Sequence, residues 1–106
     1  MFRGTESYEI VKSTLINMVP HVNILKAREE DNVLLVINNE YALFFLNDVG
    51  KDFLRLCDGK RTLKDILLVL YNEYDVAEDT LTDDIFDIIQ TLQKKRILSF
   101  DITEQL

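Results

Sequence analysis

Apolar residues in this chain change their period twice. Over residues 7–19, Tyr8, Val11, Leu15 and Met18 recur at spacings of three and four, the stripe of an amphipathic helix that Ser7 would cap and Pro20 would stop. Ile10, Ile16 and Val19 fall off that stripe, so an irregular or strand-like arm is the competing reading. From residue 22 the period shortens. Residues 22–28 alternate roughly, Glu29-Glu30-Asp31-Asn32 reads as a polar turn, and Val33-Leu34-Leu35-Val36-Ile37 is a compact apolar run. Asn38-Asn39 suits the positive φ of a tight hairpin, so residues 41–46 are expected to pair antiparallel with that run.

At Asn47 the period becomes helical. Asn47 is a good N-cap, Asp48 suits the positive end of a helix dipole, and Val49, Phe53, Leu56 and Cys57 form one stripe before Asp58-Gly59 ends the helix. Thr62 with Asp65 has capping-box spacing, and Leu63, Ile66, Leu67, Leu70 and Tyr74 make the buried face of a second helix. Thr80 and Asp83 repeat that spacing ahead of a third helix, whose stripe is Leu81, Ile85, Ile88 and Leu92. Ile97, Leu98, Phe100 and Ile102 suggest an extended tail docking back on the core. Strands followed by helices predict an α+β, winged-helix-like architecture: a three-stranded antiparallel sheet, then a three-helix bundle, with an extra N-terminal arm or helix.

Composition narrows the function. A length of 106 residues with 47% apolar residues is one domain with a single core. No apolar run is long enough to cross a bilayer and the N-terminus lacks a signal sequence, so a soluble cytoplasmic protein is expected, without membrane contact. The lone Cys57 agrees with a reducing compartment. A net charge of −7 opposes nucleic-acid binding, and Lys94-Lys95-Arg96, the dense basic run, suits a helix C-terminus. His21 has no second ligand at zinc spacing, Cys57 has no base nearby in sequence, and the glycines form no phosphate loop. The acidic clusters at residues 29–31 and 83–87 do not have the form of a calcium loop. No enzyme, cofactor or metal site is expected.

Several positions together resemble one family. They are Leu46-Asn47 with Gly50, Leu56-Cys57-Asp58-Gly59 with Thr62 and Asp65-Ile66, Tyr74-Asp75-Val76, and Leu92 with Ile97-Leu98. At these spacings residues 22–98 resemble the PqqD-like peptide-binding domains, also called RiPP recognition elements. Arg96 stands where that family commonly has Gly, and residues before Val22 lie outside the resemblance. The division expected is an arm at 1–20, a peptide-binding domain at 21–102 and a tail at 103–106. The resemblance implies a protein that binds the leader of a ribosomally made precursor peptide and presents it to a modifying enzyme, commonly a radical-SAM protein. It also implies the mode: the leader adds as a strand to the third strand and fills a groove beside the third helix.

The residues can be read against that mode. Residues 41–46 hold no polar side chain except the Tyr41 hydroxyl, whereas a sheet edge facing water normally alternates or carries charge. Ala42, Phe44 and Leu46 are expected to face the helices, with Tyr41, Leu43 and Phe45 opposite. Phe86 stands off the third helix's stripe, with Ile89 and Thr82 between and Gln93 nearby, so these could line the groove or lie under the N-terminal arm. The expected peptide site is Tyr41, Leu43, Phe44, Phe45, Thr82, Phe86, Ile89 and Gln93. Two other readings stay open: a winged-helix DNA-binding regulator, and a structural dimerisation module (a homodimer) in which the arm covers a neighbour's strand edge.

Overall fold

In the computed structural model, which describes residues 6–101, the order is α1 (Glu6–Leu15), β1 (Val19–Val22), β2 (Lys26–Glu30), β3 (Val33–Ile37), β4 (Leu43–Leu46), α2 (Asp48–Leu56), α3 (Leu63–Glu73), α4 (Glu78–Lys94) and β5 (Leu98–Asp101). The described strands form two antiparallel sheets, β2-β3-β4 and β1-β5. The expected α+β order, a three-stranded sheet leading into three helices, is present in β2–β4 and α2–α4. The cap by Ser7, the packing of Tyr8, Ile102 and the 103–106 tail lie outside the described residues or side chains.

Several boundaries move for identifiable reasons. The arm's helix ends at Leu15, and Pro20 stops nothing: it is buried within β1, a two-stranded ribbon whose strands are both edges and tolerate a missing N–H. β1 pairs with β5, so the expected tail becomes a strand, and β1 runs across the boundary expected at residue 20. Glu29 and Glu30 belong to β2, because Asp31 and Asn32 alone make the reversal, with φ of 51° and 67°, as in a type I′ hairpin. At the next hairpin the positive φ falls on Tyr41 (64°) and not on Asn38 or Asn39, so β4 begins only at Leu43.

The helix starts follow cap chemistry. Asn47 Oδ1 accepts from Gly50 N at 3.1 Å, and a Cβ on Gly50 would come within 3.2 Å of Leu46 Cδ2, so this position favours glycine. At α3 the first three N–H groups are all satisfied. Leu63 N donates to Met18 O (2.9 Å), Lys64 N to Ile16 O (2.8 Å) and Asp65 N to Thr62 Oγ1 (3.2 Å), while Asp65 Oδ2 accepts from Thr62 N (3.3 Å). The arm's backbone thus completes the cap. Thr80, by contrast, caps nothing: α4 starts at Glu78 after Ala77, without a side-chain cap.

Val36 of β3, Phe53 of α2, Leu63, Ile66 and Leu70 of α3, and Ile85 of α4 meet in one core, each fully buried side chain contributing roughly 2 kcal/mol. Lys51 is also buried, because its Nζ reaches Glu29 Oε2 (2.9 Å) and Asn32 O (3.3 Å) across the β2–β3 hairpin. Arg55 binds the other oxygen of Glu29. The hydrogen bond from Lys51, with the Arg55 charge adding to it, holds the Glu29 carboxyl below its ordinary 4.5.

The C-terminus of α4 closes as a Schellman motif, with Arg96 N donating to Gln93 O (3.1 Å) and Ile97 N to Leu92 O (2.9 Å). Arg96 occupies its left-handed position at φ 59°. A side chain at this left-handed position adds strain that a glycine would not.

Two outcomes follow from these contacts. Arg96→Gly should raise unfolding stability by about 1 kcal/mol in urea titrations, since the exposed Arg96–Glu40 pair it loses is weak. Glu29 stabilises the fold above its ordinary value, and that contribution is lost as pH falls through its lowered folded value. The melting temperatures of wild type and Glu29→Gln should therefore differ most near neutrality and converge as pH falls below the ordinary 4.5 and through the lowered folded value.

Candidate functional site: an open strand edge beside the last helix

The β2-β3-β4 sheet ends in two edges of opposite character. β2 is Lys-Ala-Arg-Glu-Glu, exposed throughout, with charge at every position but Ala27. β4 is Leu-Phe-Phe-Leu and carries none. Charge and twist are the usual guards on an edge strand. One edge here carries charge and the other does not.

Side chains along β4 alternate as expected. Leu43 and Phe45 are 54% and 70% exposed, while Phe44 and Leu46 turn inward and are half-buried. Backbone direction alternates with the same period, and the Asn38 N to Ala42 O bond (3.1 Å) sets its phase. Val36 with Phe44 and Leu34 with Leu46 are therefore the bonded pairs facing β3. The N–H and C=O groups of Leu43 and Phe45 face the open edge. Tyr41 is exposed but precedes the strand.

Beside that edge lies a cleft of about 310 Å3, bounded by Phe45, Leu46 and Asn47 on one side and by Asp87, Ile88, Thr91 and Leu92 of α4 on the other. The α4 residues expected to line it do not. Phe86 and Ile89 are only 6% and 1% exposed and belong to the core. Thr82 shares a hydrogen bond with the Tyr71 hydroxyl of α3, so its flank of the helix, which also carries Phe86 and Gln93 by spacing, is turned to α3. Phe86 and Ile88 stand about 160° apart around the helix, at opposite margins of the apolar face. Packing covers the Phe86 margin and leaves Ile88 at the cleft.

Asn38, expected in the hairpin turn, has a larger part. It is 3% exposed, its Oδ1 accepts from Glu40 N (2.9 Å) and Ala42 N (3.0 Å), and its Nδ2 donates to Lys95 O (3.0 Å). The amide thus shapes the turn into β4 and ties it to the end of α4. Lys95 Nζ lies 4.4 Å from the centre of the Phe44 ring, a cation–π contact across the same gap. The sequence signal was present in the Asn38-Asn39 pair, but nothing local distinguishes the buried member.

The reactive candidates have structural partners. The half-buried Cys57 thiol donates to Phe53 O (3.3 Å), and burial, with Asp58 adding to it, pushes its pKa up to about 12, so it is protonated at neutral pH. The Tyr74 hydroxyl donates to Asp52 Oδ2 (2.6 Å); burial first and that hydrogen bond second raise its pKa. Among the described residues no group of His, Cys, Asp and Glu could hold a metal ion, and no helix is long and apolar enough to cross a membrane.

The three-stranded sheet leading into three helices defines a winged-helix-like α+β class of small domains. The chain belongs to the PqqD family, described as coenzyme PQQ synthesis protein D, whose profile matches residues 33–98. Among solved structures it is similar to "TbiB1 in Complex with the TbiA(beta) Leader Peptide". That likeness has a TM-score of 0.63 and 21% identity, covering 73% of this chain and 94% of that one. At that identity the likeness establishes the fold. No curated protein sequence matches.

Because Asn38 fixes the start of β4 against α4, truncating it should be felt in stability. Asn38→Ala is expected to cost roughly 2 kcal/mol by chemical denaturation. Asn38→Asp should be no milder, since it keeps the acceptor but sets a carboxylate against the Lys95 carbonyl.

Proposed function

We propose that this protein captures an extended segment of a precursor peptide by strand addition to β4 and presents it to a modifying enzyme. The observation that carries the reading is the contrast between the two edges of one sheet. β2 is guarded by charge, while β4 is apolar, has the Leu43 and Phe45 amides directed outward, and borders a cleft. Strand addition uses such an edge: backbone bonds supply affinity and alternate side chains entering a groove supply selectivity. The leader peptide bound by TbiB1, a protein of similar fold, supports the choice of a leader as ligand.

The peptide's alternate residues would meet Leu46, Ile88, Thr91 and Leu92 in the cleft. Phe44, Phe45, Leu43 and the preceding Tyr41 form the strand side of the site, and α4 contributes Asp87, Ile88 and Thr91. A micromolar dissociation constant, near −8 kcal/mol, is reasonable for one added strand and a few apolar contacts. The protein acts without chemistry of its own, raising the effective concentration of precursor at its enzyme. Family resemblance points to a radical-SAM protein as that enzyme, and a ribosomal product as ligand points to the cytoplasm as the place of action.

Leu43→Pro tests the edge directly. It removes an N–H that faces outward, while the ladder to β3 runs through Phe44 and Leu46, so the fold should persist. Calorimetric titration with a synthetic leader, taken from a precursor gene adjoining this one, should show at least tenfold weaker binding for Leu43→Pro and for Phe45→Asp. Equal isotherms for wild type and both variants would rule β4 out as the binding edge.

A further inference from the structure

The α4 wall of the cleft changes charge along its length. Asp87, Ile88 and Thr91 line the cleft. At about 100° per residue, Asp84 falls on the same flank one turn towards the N-terminus, and Lys94 and Lys95 one turn towards the C-terminus. All four charged residues, Asp84, Asp87, Lys94 and Lys95, are exposed. Arg96 is paired with Glu40 at 3.6 Å, and Lys95 lies over the Phe44 ring. The helix dipole accounts for acids in the first turn, which here are Glu78 and Asp79, and for a base in the last. It does not account for Asp84 and Asp87, which lie beyond the first turn.

β4 supplies a direction. Its Phe44 end lies beside Lys95, and its Asn47 end lines the cleft together with Asp87, two turns earlier on α4. A strand continuing the antiparallel order of β2-β3-β4 would therefore start at the acidic end and finish at the basic end. From Asp84 to Lys95 the helix rises about 16 Å, a distance an extended chain at ~3.3 Å per residue covers in about five residues.

We infer that the cleft selects its peptide by charge order: a Lys or Arg at the N-terminal end of the paired segment, apolar side chains at alternate positions, and an Asp or Glu about five residues after the base. This deepens the strand-addition reading of β4 and rests on it. The same peptide entering in reverse would set like charges together at both ends. Exposed pairs are individually weak, so the two ends together give a preference of about tenfold at low salt, reduced as salt is added.

The test is selection of a displayed random dodecapeptide library on the full chain and on Asp84→Lys/Lys94→Glu, with Leu43→Pro as counter-screen. Peptides selected on the wild type should carry base before acid at the stated spacing and bind the charge-exchanged variant about tenfold more weakly, and that variant should select the reverse order. Should the double exchange unfold, Asp84→Asn alone gives the same readout at about threefold. Peptides that lose binding to Leu43→Pro yet show no charge order would overturn the inference and leave strand addition standing. Peptides indifferent to Leu43→Pro, or no enrichment above background, would remove strand addition and the inference with it.

Discussion

Three hydrogen bonds from the buried amide of Asn38, two accepted from the Glu40 and Ala42 N–H groups and one donated to the Lys95 carbonyl, join the turn before β4 to the end of α4. Much else is placed by that amide. Its Oδ1 holds the Glu40 and Ala42 N–H groups in a turn where Tyr41 is left-handed, while the backbone bond from Asn38 N to Ala42 O sets the phase in which β4 pairs with β3. The amide also anchors the turn that follows α4, where the Schellman bonds redirect the chain into β5. A buried amide with all its groups satisfied is a rigid joint, because each alternative leaves a polar group dry and unpaired.

Within β4, the groups that hold the fold and those left at the open edge are separated by parity. Phe44 and Leu46 give both side chain and backbone to the interior, whereas Leu43 and Phe45 give both to the outside. The fold can thus be held by one pair while the other stays available. The opposite edge is guarded instead. Glu29 of β2 turns inward to Lys51 and Arg55 of α2, while Lys26, Arg28 and Glu30 cover the outside.

Much of this was legible in the sequence, for reasons that differ by element. Asn47, Thr62 and Asp65 act through neighbours three residues away, so their roles could be read locally and were found in place. The in-and-out alternation of residues 43–46 was equally legible. Thr80 misled because cap spacing recurs wherever Thr and Asp are common, and three-dimensional packing started the helix at Glu78 instead. The error on α4 has another origin. A stripe with apolar residues at both margins does not say which margin meets a neighbour, and the Thr82–Tyr71 contact that decides it joins two helices. Asn38, Lys51 and the β1–β5 ribbon share that obstacle, since each depends on a partner far along the chain.

The β1–β5 ribbon brings Val19 opposite Asp101, late in the described chain, with α1 ahead of it. Each strand of the ribbon has only the other as a partner, so the two open together or not at all. Just ahead of β1, Ile16 and Met18 hold the first N–H groups of α3. The ribbon is thus a clasp: loosening the last strand would also loosen the segment that caps the middle helix.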